Sequence, residues 1–242
     1  MNLIIDVGNT AVKLAVFDDG TLIRHAESTV NEFVEKAKKL YLDFPTIGAT
    51  MVSSVVDLER NVLNTLSGFS RLHLLDHSTL TPFKNEYASP ETLGVDRIAL
   101  ATAAFYHNPK GNTLVIDAGT CITFDMITDQ GAYVGGAISP GLAMRYYALN
   151  AQTSKLPLLE IEPPKDLIGN TTSASIHSGV INGICAEIDG IIERYSSRYE
   201  DLTVILTGGD SLFLSKRLKN TIFAHSKFLL EGLNYLLDYN KR

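Results

Sequence analysis

Leu3-Ile4-Ile5-Asp6-Val7-Gly8-Asn9-Thr10 and Leu114-Val115-Ile116-Asp117-Ala118-Gly119-Thr120-Cys121 repeat one pattern at 111-residue spacing in a chain of 242. Each is an apolar strand that ends in an acid, passes through a glycine turn carrying small polar residues, and enters a second apolar run. Such a duplication predicts two similar lobes facing each other across a cleft. It also favours a phosphate site more strongly than any single glycine loop would.

The formal net charge of −6 and pI near 5.5 argue against a general nucleic-acid binder, which needs basic surface to neutralise phosphates. Cys121 and Cys185 are too few for a disulfide framework and read as small buried hydrophobes. The amino-terminal apolar run reaches an acid at Asp6, so no signal-peptide core is expected. No apolar run has the length of a membrane span. The expectation is a cytoplasmic protein with no nucleic-acid or membrane partner.

Residues 2–6, 12–17 and 21–26 read as strands, with Asp18-Asp19-Gly20 a hairpin turn. A helix over 31–42, a strand over 46–53, a helix over 57–67 and a strand over 71–75 follow. Residues 76–92, with Pro82 and Pro90, read as a long loop. A helix from Gly94 to Tyr106 ends at His107-Asn108-Pro109-Lys110-Gly111-Asn112, the expected lobe boundary. The second half repeats the plan with strands at 113–117, 121–127 and 131–138. A helix whose first turn suits Pro140 comes next, then a loop over 150–171 and a helix over 173–198. That helix carries Gly179 and Gly183, tolerable there if another backbone packs closely. A strand at 203–206, a helix, a strand at 221–224 and a helix from 227 complete the chain. The expected fold is α/β: duplicated βββαβα lobes of the ribonuclease H-like, actin-like ATPase kind around a central cleft, divided as 1–111 and 112–242.

Asp6-x-Gly8-Asn9-Thr10-x-x-Lys13 suits a phosphate grip. Gly8 permits close backbone approach, Asn9 and Thr10 add short donors, Lys13 extends a charge toward a terminal phosphate, and Asp6 can hold hydrated Mg²⁺. Thr207-Gly208-Gly209-Asp210 stands between a strand and a helix, where amides can meet a nucleotide. Asp96, in the first turn of its helix, is the best-placed base toward a hydroxyl. Gly135-Gly136-Ala137-Ile138-Ser139-Pro140-Gly141 leaves room for a substrate or makes a tight corner. The six histidines have no metal-ligand spacing, so none is assigned a role. No G-x-S-x-G or G-x-x-x-x-G-K-[ST] motif is present, which removes common serine hydrolases and P-loop kinases.

Taken in order, these motifs resemble a type III pantothenate kinase. The further motifs are Tyr87-x-x-Pro90-x-x-Leu93-Gly94-Val95-Asp96-Arg97, Gly135-Gly136-x-Ile138-x-Pro140-Gly141 and Gly169-Asn170-Thr171-Thr172-x-x-Ser175-Ile176-x-Ser178-Gly179. The chain departs from the family pattern at Ser226, often a proline, and at Ser211, often an alanine. The resemblance implies ATP-dependent phosphorylation of pantothenate, the entry step of coenzyme A synthesis. It implies ATP contacts at Asp6, Val7, Gly8, Asn9, Thr10, Ala11, Val12, Lys13 and Thr120, with Asp96 as proton acceptor. It further implies pantothenate contacts at Tyr87, Gly94, Val95, Asp96, Arg97 and Thr172, and a K⁺ or NH₄⁺ ion at Asp117. A homodimer in which the Thr172 region completes the neighbouring pocket is the remaining implication. A sugar or acetate kinase, and a non-catalytic nucleotide-responsive regulator of the same fold, are the alternatives.

Overall fold

The computed structural model describes residues 1–8 and 11–241. The elements in chain order are β1 (Asn2–Val7), β2 (Val12–Asp18), β3 (Thr21–Ser28), α1 (Phe33–Asp43), β4 (Ala49–Ser54), α2 (Arg60–Ser67), β5 (Arg71–Leu74), β6 (Lys84–Asn85), α3 (Val95–His107), β7 (Thr113–Ala118), β8 (Cys121–Ile127), β9 (Ala132–Pro140), α4 (Leu142–Ala151), α5 (Thr172–Ser196), β10 (Thr203–Thr207), α6 (Ser211–Ser215), β11 (Phe223–Ala224) and α7 (Phe228–Asn240). One compact unit holds Met1–Pro109, Gly131–Tyr133 and Lys227–Arg242, and the other holds Lys110–Gln130 and Val134–Ser226.

The first unit contains a sheet ordered β3-β2-β1-β4-β5. Strand β1 runs antiparallel to β2 and parallel to β4, and every one of its residues is buried. A central strand covered on both faces needs a continuous apolar run, which Leu3-Ile4-Ile5 supplies. One face, with Leu3, Ile5, Val7, Val12, Leu14 and Val16, packs on Phe33, Ala37, Leu40 and Tyr41 of α1.

The second unit repeats the order as β9-β8-β7-β10-β11, so the duplicated motif reports a duplicated sheet. Its core joins Ile116, Phe124, Met126 and Leu206 to Ile181, Ile184 and Ile188 of α5. Helix α5 is started by Thr171, whose hydroxyl accepts from the Ala174 amide at 3.2 Å.

Four details differ from the expected plan. The segment 76–92 carries β6, whose Lys84 and Asn85 pair in parallel with Ala132 and Tyr133, and a 3₁₀ turn at Pro90–Thr92. Two residues are too few for a hydrophobic period, so nothing in the pattern marks β6. Pro140 ends β9 instead of opening α4, and Gly141 is the residue that precedes that helix. Ideal Cβ atoms built on Gly179 and Gly183 meet nothing within 4 Å, so no backbone of the described residues packs there. Finally, α7 belongs with the first unit, whereas the expected boundaries put it in 112–242.

The reason for that last difference is specific. Asn2 Nδ2 donates to Asn234 Oδ1 at 2.7 Å and to Asp238 Oδ1 at 2.8 Å, tying α7 to the start of β1. A Cβ on Gly232 would lie 2.0 Å from the Ala99 carbonyl oxygen of α3, so the two helices meet backbone to backbone. Both obstructing atoms nearest that Cβ are main chain, and a side chain cannot be accommodated by a rotamer change. Gly232→Ala is therefore expected to destabilise the protein by about 1–3 kcal/mol, read as a lowered urea midpoint; unchanged stability would show that α3 and α7 do not approach so closely.

Candidate functional site

In the first unit the site grows from the carboxyl end of β1. Asp6 is opposite Lys13 in the antiparallel pair and beside Ser53 in the parallel pair, so the three share a face. Asp6 is only 8% exposed. Burial is the main reason its carboxyl is raised from 3.8 to about 6; Lys13 opposes the shift, Asp96 adds to it, and Ser53 lowers it slightly. The Ser53 hydroxyl reaches no partner at good hydrogen-bond geometry, so its effect is weak. The negative charge of Asp96 is thus felt at Asp6, so the two acids share one electrostatic neighbourhood.

Asp96 is the second residue of α3 and its Oδ1 accepts from the Arg97 amide at 2.9 Å. An acid in a first helical turn is favoured by the exposed amides there. A Cβ on Gly94 would come within 2.4 Å of that same Oδ1, so only glycine leaves the carboxylate its present position. Arg97 is 4% exposed and its Cζ lies 5.7 Å from the centroid of the Tyr87 ring. Tyr87 in turn contacts Tyr133, with ring centroids 6.1 Å apart. A planar cation is therefore held against an aromatic wall one residue from a partly exposed carboxylate.

Of the expected ATP contacts, Val7 and Val12 are fully buried in the core and can offer only main chain to a ligand. The Gly8 amide donates to Ala11 O at 3.1 Å, closing the turn between β1 and β2. Asn9 and Thr10 lie outside the described residues. Val95 opens α3 and is half-buried.

In the second unit two further glycine motifs close on the turn that follows Asp117. A Cβ on Gly208, which has φ +93°, would lie 2.4 Å from Asp117 Oδ1 and 2.3 Å from Ala118 O. A Cβ on Gly141 would lie 2.2 Å from Gly119 O and 2.5 Å from Thr120 O. Asp117 is half-buried and Thr120 exposed. The donors around this turn are a carboxylate and main-chain carbonyls, an oxygen-only set that fits a hard cation. Gly136 itself makes a tight corner: its Cβ would strike Phe124 O at 1.5 Å, so this glycine serves backbone packing. Helix α6 has only five residues, so the Gly208-Gly209 turn works by wrapping Asp117 more than by starting a helix.

The halves are not equivalent. Lys13 is opposite Asp6, but Thr123 is opposite Asp117, because the second turn is one residue shorter. Thr172 opens α5 and lines a cavity of about 1170 Å³ with Arg145, Leu149, Leu156, Asn170 and Ile176. Sequence reasoning missed Ser53, His25 and Lys227, which adjoin Asp6 or Lys13. Each comes from a distant segment with no motif around it.

Because Asp6 binds its proton more tightly folded than unfolded, its burial costs nothing below about pH 4 and the full penalty above about pH 6. Stability should therefore fall as pH rises through that window. Asp6→Asn, which removes the charge at constant shape, is expected to be more stable than wild type near neutral pH by at most about 3 kcal/mol, and to match it near pH 4. Chemical denaturation across that range without metal or nucleotide checks this; equal stability at both ends would mean the carboxylate is not penalised by burial.

A family model described as type III pantothenate kinase matches residues 2–194. A type III pantothenate kinase of Christiangramia forsetii is 51% identical over 241 residues, covering 100% of this chain and 99% of its own. One from Flavobacterium johnsoniae is 46% identical, with coverage of 99% and 98%. Among solved structures, a conserved Baf-family protein of Campylobacter jejuni superposes with TM-score 0.64 at 21% identity, covering 99% and 98% of the chains. A glucokinase from an Antarctic psychrotroph gives TM-score 0.56 at 13% identity, covering 98% of each chain. These last two likenesses show a shared fold alone. With the buried acid of β1, the Asp96-Arg97 helix start and the full-length identity together, the chain belongs to the type III pantothenate kinase family.

Proposed function

We propose that this protein transfers the terminal phosphoryl group of ATP to the primary hydroxyl of pantothenate, the first step of coenzyme A synthesis. The observation that carries the reading is the helix start at Gly94-Val95-Asp96-Arg97. It sets a carboxylate, felt electrostatically by Asp6, next to a guanidinium held on Tyr87. An acceptor carrying both a hydroxyl and a carboxylate needs such a base and such a fork.

In this reading Asp96 accepts the hydroxyl proton and Arg97 binds the pantothenate carboxylate, with Tyr87, Gly94 and Val95 shaping the acceptor pocket. The loose transition state of phosphoryl transfer requires little prior deprotonation, so a modestly basic carboxylate suffices and positioning dominates. The Gly8 turn and Lys13 hold the donor phosphates. Asp6 suits Mg²⁺, which would supply charge neutralisation on those phosphates when bound; a buried carboxylate with a second acid nearby is a hard-oxygen donor set. Asp117 and the carbonyls around it suit K⁺ or NH₄⁺, and Thr120 a polar contact to the nucleotide. Thr172 would serve the acceptor pocket of a second copy in a homodimer. The outward-facing Gly179 and Gly183 on the same helix support that assembly, since they leave its surface low. An intracellular setting follows from the reaction; in the described residues no helix is long and apolar enough to cross a membrane.

Asp96→Asn tests the reading. With ATP, Mg²⁺ and K⁺, wild type should phosphorylate pantothenate and ignore a panel of sugars and acetate. The variant should keep its fold and nucleotide affinity while losing about two orders of magnitude or more in kcat. Near-wild-type turnover would remove Asp96 from the base role. Nucleotide binding with no turnover on any acceptor would favour the regulator.

A further inference from the structure

A second cation stands beside Lys13, and it comes from the far end of the chain. In the β2–β3 pair Lys13 is opposite Glu27 and Ala15 is opposite His25. Lys13, His25 and Glu27 therefore project from the same face as Asp6. Lys227, the residue immediately before α7, brings its Nζ to 3.1 Å from both ring nitrogens of His25. The backbone link between α7 and α3 at Gly232 and the Asn2 ties described above fix where that helix begins.

The electrostatics of the cluster agree with its geometry. Burial, then the Lys227 charge, lowers His25 below its ordinary 6.5, with Glu27 opposing and Lys13 adding to the shift. The ring is thus neutral near neutral pH and can accept an N–H from Lys227. Burial also lowers Lys227, with Glu27 opposing and Lys13 again adding to the shift. Lys13 and Lys227 repel one another across this face, a contribution that ranks below burial and the Glu27 attraction. A polyanion laid over this face reverses the sign of that interaction.

We propose that Lys227 is a second polyphosphate-binding cation for the phosphoryl donor, acting with Lys13, and that His25 is the positioning residue that aims it. The proposal rests on the reading of residues 6–13 as the donor's phosphate grip. The Lys227 ammonium is a point charge on a flexible stem, suited to follow the phosphate as it transfers without demanding bidentate geometry. Its location one residue ahead of α7 explains why no motif near the amino terminus announces it.

Lys227→Ala, Lys227→Arg and Lys13→Ala in the full chain, assayed with ATP and pantothenate, test this. Inorganic tripolyphosphate, which lacks base and ribose, serves as the competitor. Lys227→Ala is expected to raise both KM for ATP and the inhibition constant of tripolyphosphate about tenfold, the loss of one charge contact, while KM for pantothenate stays within about twofold. Lys227→Arg should recover most of the loss. The thermal midpoint of Lys227→Ala should be unchanged or higher, because the cost of partly burying the ammonium, which outweighs its attraction to Glu27, is removed. The proposal is overturned if Lys13→Ala weakens ATP and tripolyphosphate but Lys227→Ala does not. It is also overturned if Lys227→Ala impairs ATP and pantothenate equally with a lowered midpoint that arginine does not restore. If neither lysine matters, the phosphate reading of residues 6–13 falls and this proposal falls with it.

Discussion

A carboxylate that folding has stripped of water governs the first unit. Asp6 stands near the end of a fully buried strand, directly after the apolar run Leu3-Ile4-Ile5, and the sheet register sets Lys13 and Ser53 on either side of it. Each neighbouring feature answers to that charge. Lys13 partly offsets it, while Asp96 opposes it from the start of α3. A group kept at such a cost is the kind of feature that binding sites retain and stable cores do not. On the proposed reading a divalent cation and the donor phosphates complete the balance.

Much of this was legible in the chain because short-range pattern and physical cause coincide. The apolar run Leu3-Ile4-Ile5 closed by Asp6 reads as a central strand because only such a strand is covered on both faces. Its repeat at Leu114–Asp117 correctly reported a second sheet with the same strand order. Gly94 before Asp96 was legible as a helix start, though its reason was not: the glycine makes room for the carboxylate. What could not be read are contacts between distant segments. The pairing of β6 with β9 involves two residues on each side, and the docking of α7 on α3 depends on one glycine meeting one carbonyl. Neither leaves a period.

The apparent symmetry of the two glycine turns also misleads at one position. The matching acids share a strand and a turn, but a one-residue difference in turn length puts Lys13 opposite one and Thr123 opposite the other. A cation beside the acid suits phosphate, whereas a hydroxyl, a half-buried carboxylate and the carbonyls of Gly119 and Thr120 suit a weakly hydrated cation. The duplication thus supplied two copies of one scaffold, and on the proposed reading the opposing strand residue distinguishes their chemistry. The turn around Asp117 is also the more tightly enclosed, since Gly141 and Gly208 both press main chain against it.

Asp6, held protonated more tightly by its burial and by the nearby charge of Asp96, is the group on which the proposed site depends. Following the Asp6 side-chain carbon by NMR through a pH titration, in protein free of metal and nucleotide, measures this directly. A midpoint near 6 is expected in wild type, held there mainly by burial, with a smaller downward move when Asp96 is replaced by asparagine. A midpoint that already lies near 3.8, or one that does not move on losing Asp96, would contradict this.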